Sequence, residues 1–106
     1  MDDQQFRNIS SEALDRLQRE LEHASDSGDF DVDSREGALT VEFEDPPAKF
    51  VVSPNSPVRQ IWVSARVKSF KLDWDEGRKA FVLVADGRDL GTLLTDLIAE
   101  QTGDSG

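Results

Sequence analysis

The chain has 106 residues and carries 22 Asp or Glu against 12 Lys or Arg, a formal net charge of −10, which makes it one small acidic domain over residues 1–106. Hydrophobic residues at 37%, with 6 Phe and 2 Trp, suffice for a core, while the absence of Cys and a single His23 exclude disulfides, thiolate metal sites, thiol nucleophiles and any multi-histidine cage. The acidic balance argues against nucleic acid and anionic membranes as partners, since both repel it, and favours a basic protein surface or a cation.

The charge is concentrated at the start. Residues 1–45 hold 14 acids against 4 arginines, whereas residues 46–106 hold 8 acids and 8 bases, so the net charge belongs entirely to the first segment. Within it, Phe6, Ile9, Ala13, Leu14, Leu17, Leu21 and Ala24 fall on one side of a helical wheel, which predicts an amphipathic helix over 3–24. The opposite face carries Glu12, Asp15 and Glu22. Arg19 lies in the same sector, four residues after Asp15 and three before Glu22, and is placed to pair with either.

Asp29-Phe30-Asp31-Val32-Asp33 alternates strictly, predicting a strand that buries Phe30 and Val32 and exposes three carboxylates. Leu39, Val41 and Phe43 alternate with Thr40, Glu42 and Glu44 in a second strand. A two-residue turn at Glu36-Gly37 would set Arg35 opposite Ala38, Asp33 opposite Thr40, Asp31 opposite Glu42 and Asp29 opposite Glu44. That register puts the apolar residues on one face and like charges opposite each other twice, which normally destabilises a sheet. Further strands are expected at about 48–53, 58–64, 69–74 and 79–84, broken by Pro46-Pro47, the run from Ser53 to Pro57, and Asp75-Glu76-Gly77. Leu90, Leu93, Leu94, Leu97 and Ile98 predict a closing helix, with Asp89 as N-cap and Gly103 just beyond it. The expected fold is an α+β two-layer sandwich: an antiparallel sheet of about five to six strands, with the N- and C-terminal helices packed on one face.

The polar, acidic start Met1-Asp2-Asp3-Gln4-Gln5 resembles neither a secretory signal nor a transit peptide, and no apolar run approaches the ~20 residues of a membrane span. The expected location is the cytoplasm.

Two surfaces can carry chemistry. Hard cations want several oxygen ligands, but carboxylates two residues apart on a strand are ~7 Å apart, so Asp29, Asp31 and Asp33 alone cage no ion and binding there would be shallow and weak. A solvated acidic face is the competing reading. In Arg59-Gln60-Ile61-Trp62-Val63-Ser64, period-2 alternation puts Gln60 and Trp62 outward if Ile61 and Val63 point inward. An exposed Trp makes a good interface anchor, and Arg66, Lys68 and Lys71 follow as basic neighbours; the alternative is that the strand is buried on both faces and Trp62 is core. Catalysis has little support: Ser64 and Ser69 have no identifiable histidine partner, and Asp86-Gly87-Arg88-Asp89 reads as a turn rather than a phosphate loop.

The acidic first helix, the Asp-rich first strand and Pro57-Val58-Arg59-Gln60-Ile61-Trp62-Val63-Ser64 resemble the frataxin family, particularly its bacterial members, over nearly the full chain. Gly37-Ala38-Leu39-Thr40-Val41, Lys71-Leu72-Asp73-Trp74 and the segment from Leu90 to Leu97 resemble that family's second strand, the segment after its Gln-Ile-Trp strand, and its last helix. The resemblance implies a frataxin-like fold and an iron-binding protein of iron–sulfur cluster assembly that contacts a cysteine desulfurase and a cluster scaffold. It implies weakly bound ferrous or ferric iron, open to competition by other divalent cations, on an acidic ridge matched here by Asp15, Glu22, Asp29 and Asp31, with Asp26 and Asp33 as neighbours. Gln60 and Trp62 match the exposed sheet residues that the family turns towards partners. The chain departs from the pattern at Gln18-Arg19, where an adjacent acid pair is usual, so the ridge carries an internal counter-ion.

The leading expectation is an iron-binding adaptor, or iron chaperone, without catalytic turnover, monomeric unless iron drives it to oligomerise. A metal-independent acidic module that docks on a basic protein is the alternative, and a weak ferroxidase the third class.

Overall fold

The computed structural model describes residues 2–25, 30–35, 37–44, 47–65 and 68–102. The first helix, α1, runs from Asp3 to Ala24 and buries Phe6, Leu14, Leu17 and Leu21, as the apolar stripe predicts; Ala24, at its end, is exposed. Its start is a reciprocal cap: the Asp2 carboxylate accepts from the Gln5 N–H at 2.8 Å, and the Gln5 side-chain oxygen accepts from the Asp2 N–H at 3.1 Å. Two otherwise unpartnered amides are thereby satisfied.

Six strands follow: β1 (Asp31–Arg35), β2 (Ala38–Glu44), β3 (Pro47–Asn55), β4 (Gln60–Ala65), β5 (Lys68–Asp75) and β6 (Ala80–Leu83). They form one antiparallel sheet in sequential order. The second helix, α2 (Leu90–Thr102), closes the chain, and the Asp89 carboxylate caps it by accepting the Thr92 N–H at 2.8 Å. Asp89 also bridges to Val82, and the Leu83 N–H bonds the Arg88 carbonyl at 2.8 Å, so the outer edge of β6 is covered locally.

Alternation sorts each strand into two faces. Leu39, Val41, Phe43, Phe50, Val52, Ile61, Val63, Leu72, Phe81 and Leu83 join α1 and Leu90, Leu93, Leu94 and Leu97 of α2 in one buried cluster. Both helices therefore pack on one side of the sheet, and the other side stays open. Phe43 stacks between Phe30 and Phe50, with ring centroids 5.6 and 4.9 Å apart. No described helix is long and apolar enough to cross a membrane.

Strand boundaries differ from expectation around the prolines. The predicted strand 48–53 extends to Asn55, through Pro54. The pairing of β2 with β3 stops at Leu39 opposite Val52, so Pro54 lies past the paired part of β2, and it is aligned only with Ile61 of β4. The predicted strand 58–64 begins at Gln60 instead, because Ser56–Val58 form a 3-10 turn and Arg59 takes a left-handed conformation, φ 52°. The Arg59 guanidinium meets the Asp3 carboxylate at 3.0 Å, tying the start of β4 to the start of α1.

Candidate functional site

The acidic side is built from α1 and the β1–β2 edge. Phe30 and Val32 turn towards the helices, which sends Asp31 and Asp33 to the open face of the edge strand, both exposed. The register is the expected one: Asp31 opposite Glu42, Asp33 opposite Thr40, Arg35 opposite Ala38. Asp26, Asp29 and the Asp29–Glu44 pairing lie outside the described residues. On α1, Asp15 and Glu22 are exposed. Asp15 and Gln18 share a cleft of about 210 Å³ with Ser34, Gly37 and Ala38, whereas Glu22, Asp31 and Asp33 do not line it, the two strand carboxylates lying on the sheet face away from α1.

Local partners distinguish these acids. Asp33 is engaged: its Oδ2 lies 2.9 Å from Arg35 Nε, and its Oδ1 accepts the Ser34 N–H at 3.0 Å. Glu22 accepts from the Gln18 amide at 3.4 Å, whereas Arg19, expected to pair with Asp15 or Glu22, makes no ion pair with either. The extended side chains on that exposed helix face gain little from closing such a contact. Among the described residues no three His, Cys, Asp or Glu side chains gather into a metal cage. The edge offers a field of oxygen ligands rather than a closed coordination sphere, a geometry that suits hydrated, weakly held cations.

The second surface is the open face of β4 and β5. Trp62 is 37% exposed there, flanked in the sheet by Ser53 on β3 and Lys71 on β5. The core alternative for this residue is thus excluded, because Ile61 and Val63 take the inward positions. The Lys71 ammonium lies 5.1 Å from the Trp62 ring centroid, a cation–π contact. The Trp62 N–H donates to Gln60 Oε1 at 2.9 Å, and Gln60 Nε2 donates to Asp73 Oδ1 at 3.0 Å. A depression of about 300 Å³ beside the ring is lined by Val51, Ser53, Ser64, Ser69 and Phe70.

Lys68 corrects the expected basic cluster. It pairs with Ala65 in the ladder, so it points to the helix side of the sheet, where its ammonium is 3.9 Å from the Glu100 carboxylate on α2. Lys71, three residues on, emerges on the opposite face. Period 2 separates any two strand residues an odd number apart, and spacing along the chain hid this. Arg66 lies outside the described residues. Asp73 is the residue that sequence reasoning missed; its signal was available in the alternation Ser69, Lys71, Asp73 and in the hairpin pairing that puts it opposite Gln60.

Elsewhere, ionic contacts organise the β6–α2 connection. Arg88 reaches Asp86 at 2.9 Å and Asp96 at 3.1 Å. The Arg88 backbone N–H, and then its guanidinium, hold the Asp86 carboxyl below its ordinary value. Hydrogen bonds from the Trp74 indole and Lys79 do the same for Glu76.

An α+β sandwich with an acidic edge at its first helix and strand, and a tryptophan standing on its open sheet face, is the class of protein defined here. The frataxin-like domain model matches residues 1–104. The iron-sulfur cluster assembly protein CyaY of Azotobacter vinelandii is 36% identical over 95 residues, covering 88% of this chain and 86% of the relative. CyaY of Pseudomonas aeruginosa is 36% identical over 93 residues, covering 86% and 85%. The solved frataxin of Psychromonas ingrahamii superposes with a TM-score of 0.76 at 23% identity, covering 97% of this chain and 93% of that one. Trimeric frataxin from Saccharomyces cerevisiae gives 0.68 at 24% identity, covering 92% and 78%. These two structural likenesses carry the fold, and the family match with the curated relatives carries the membership: the chain belongs to the frataxin-like family.

Proposed function

We propose that the protein serves iron–sulfur cluster assembly as an iron-binding adaptor in the cytoplasm, without catalytic turnover of its own. Ferrous or ferric iron is cargo, held weakly by the acidic edge through Asp15, Glu22, Asp26, Asp29, Asp31 and Asp33. The same edge docks on the basic surface of a cysteine desulfurase, and the open face around Gln60, Trp62 and Lys71 docks on the cluster scaffold. The observation that carries this reading is the placement of Asp31 directly opposite Glu42. Like charges facing each other work against the sheet, so their presence favours a ligand that neutralises them. The names of the CyaY relatives supply the process, iron–sulfur cluster assembly.

The test is desulfurase-driven cluster formation on the scaffold, followed with and without the chain. The reading expects the chain to change the rate, and charge reversal at Asp29 and Asp31 to weaken that effect, chiefly through slower association at low salt. An unchanged rate would overturn it. Oxygen consumption with ferrous iron probes the enzymatic alternative, and no acceleration over the uncatalysed reaction is expected. A metal-independent acidic module would bind the desulfurase equally well with or without iron and show no iron-dependent change at the carboxylates.

A further inference from the structure

The hydrogen bonds around Trp62 have only one possible direction. An indole N–H can only donate and an ionised carboxylate can only accept, so the Gln60 amide between them has a single workable orientation. Its Oε1 faces Trp62 Nε1 at 2.9 Å, and its Nε2 faces Asp73 Oδ1 at 3.0 Å. Turning the amide over would set donor against donor and acceptor against acceptor, losing both bonds. Asp73 lies opposite Gln60 in the β4–β5 ladder and is half-buried; its hydrogen bond goes to Gln60, and through Gln60 it acts on the indole. Lys71 completes the square, opposite Trp62 and over its ring at 5.1 Å. With the N–H bonded along one edge and the ring held under an ammonium, both indole torsions are set before any partner arrives.

We propose that Asp73 is a positioning residue for partner recognition: it fixes the Gln60 amide, and the amide fixes the Trp62 indole in the pose that a partner meets. The inference rests on the reading of Trp62 as a scaffold contact. Holding one large side chain in its bound pose before association is worth roughly a 2- to 10-fold gain in affinity. The carboxylate at 73 is needed for its acceptor oxygen rather than its charge. Asp73→Asn can therefore keep the relay, because an amide oxygen also accepts, whereas Asp73→Ala and Asp73→Ser cannot reach Gln60.

Two measurements on the full chain test this. In the free protein, the indole ¹H–¹⁵N resonance of Trp62 should shift, and its exchange with solvent should quicken, in Asp73→Ala and Asp73→Ser, while Asp73→Asn stays near wild type. Binding to the purified scaffold protein should fall roughly 2- to 10-fold in the first two variants and be retained in the third. An indole resonance unchanged in Asp73→Ala, or altered as much in Asp73→Asn, would overturn the relay. A disturbed indole with unchanged scaffold affinity, while Trp62→Ala loses affinity, would overturn the positioning role. Scaffold affinity unchanged in Trp62→Ala would overturn the scaffold reading, and the positioning role with it, while leaving the relay to be judged on the indole resonance.

Discussion

Asp31 and Glu42 stand directly opposite each other across β1 and β2, both exposed, and the cation next in their row is Lys49, opposite Glu42 on the far side. Neither carboxylate forms an ion pair among the described residues, whereas Asp33, two residues along, is bonded to Arg35 and to the Ser34 N–H. Asp31→Asn should therefore leave stability unchanged or raise it by a few tenths to ~1 kcal/mol in urea unfolding. Asp33→Asn should lower it by a few tenths of a kcal/mol. A clear loss for Asp31→Asn would reveal a favourable bond at that carboxylate and remove the main support for a cation-seeking edge.

Trp62→Ala should separate binding from folding. The side chain is 37% exposed and lies outside the buried cluster, so its removal forfeits one cation–π contact, one hydrogen bond and the part of the ring that the sheet covers, about 1–2 kcal/mol of stability. Leu72→Ala, at a fully buried site on the neighbouring strand, should cost ~2–5 kcal/mol. Scaffold affinity in Trp62→Ala should drop by ~2 kcal/mol or more. Thermal melts and a binding titration decide it: large unfolding with normal residual affinity would return Trp62 to a structural role.

The lowered pKa values of Glu76 and Asp86 predict an acid-limb effect with a definite sign. A carboxyl that ionises more easily folded than unfolded contributes stability above its unfolded value, and that contribution disappears as pH falls through its folded value. Asp86→Asn and Glu76→Gln should thus melt below wild type at pH 7, and the difference should fade as pH falls below the ordinary carboxylate range and through the lowered folded-state values. Arg88, raised above its ordinary value first by Asp96 and then by Asp86, stays charged throughout that range. A difference that persisted undiminished at low pH would mean that these side chains act through packing instead.

Gly37 provides a conformational test of the acidic hairpin. Its φ is +81°, and a Cβ added there would meet nothing within 4 Å, so Gly37→Ala should cost ~1–2 kcal/mol from backbone strain alone. Equal stability of the two proteins by urea unfolding would show that the turn relaxes.

Much of this molecule is legible in its sequence because single periods dominate it. The α1 stripe, the Leu90–Leu97 spacing and the alternation around Phe43 and Ile61 each have one amphipathic solution, and the Asp31–Glu42 register follows from the turn at Gly37. What escaped depends on geometry that spacing does not encode. Pro54 continues a strand because it lies past the paired part of β2. Lys68 and Lys71 leave on opposite faces although both follow Trp62 closely. Arg19 has two acids within reach along α1 and closes on neither, since pairing of exposed side chains is decided by small energies. The Trp62–Gln60–Asp73 chain needs two strands in register before its three residues become neighbours.

The most direct measurement of the central claim is a heteronuclear NMR titration of the protein with ferrous iron, repeated with manganese and cobalt. Perturbed amides are expected around Asp15, Glu22, Asp26, Asp29, Asp31 and Asp33, with residues 79–101 largely unaffected. Effective competition by manganese and cobalt is also expected, since these two ions flank ferrous iron in the affinity order of divalent ions and carboxylate oxygens suit manganese. A tight iron site in the second half of the chain, or an acidic edge indifferent to iron, would contradict that claim.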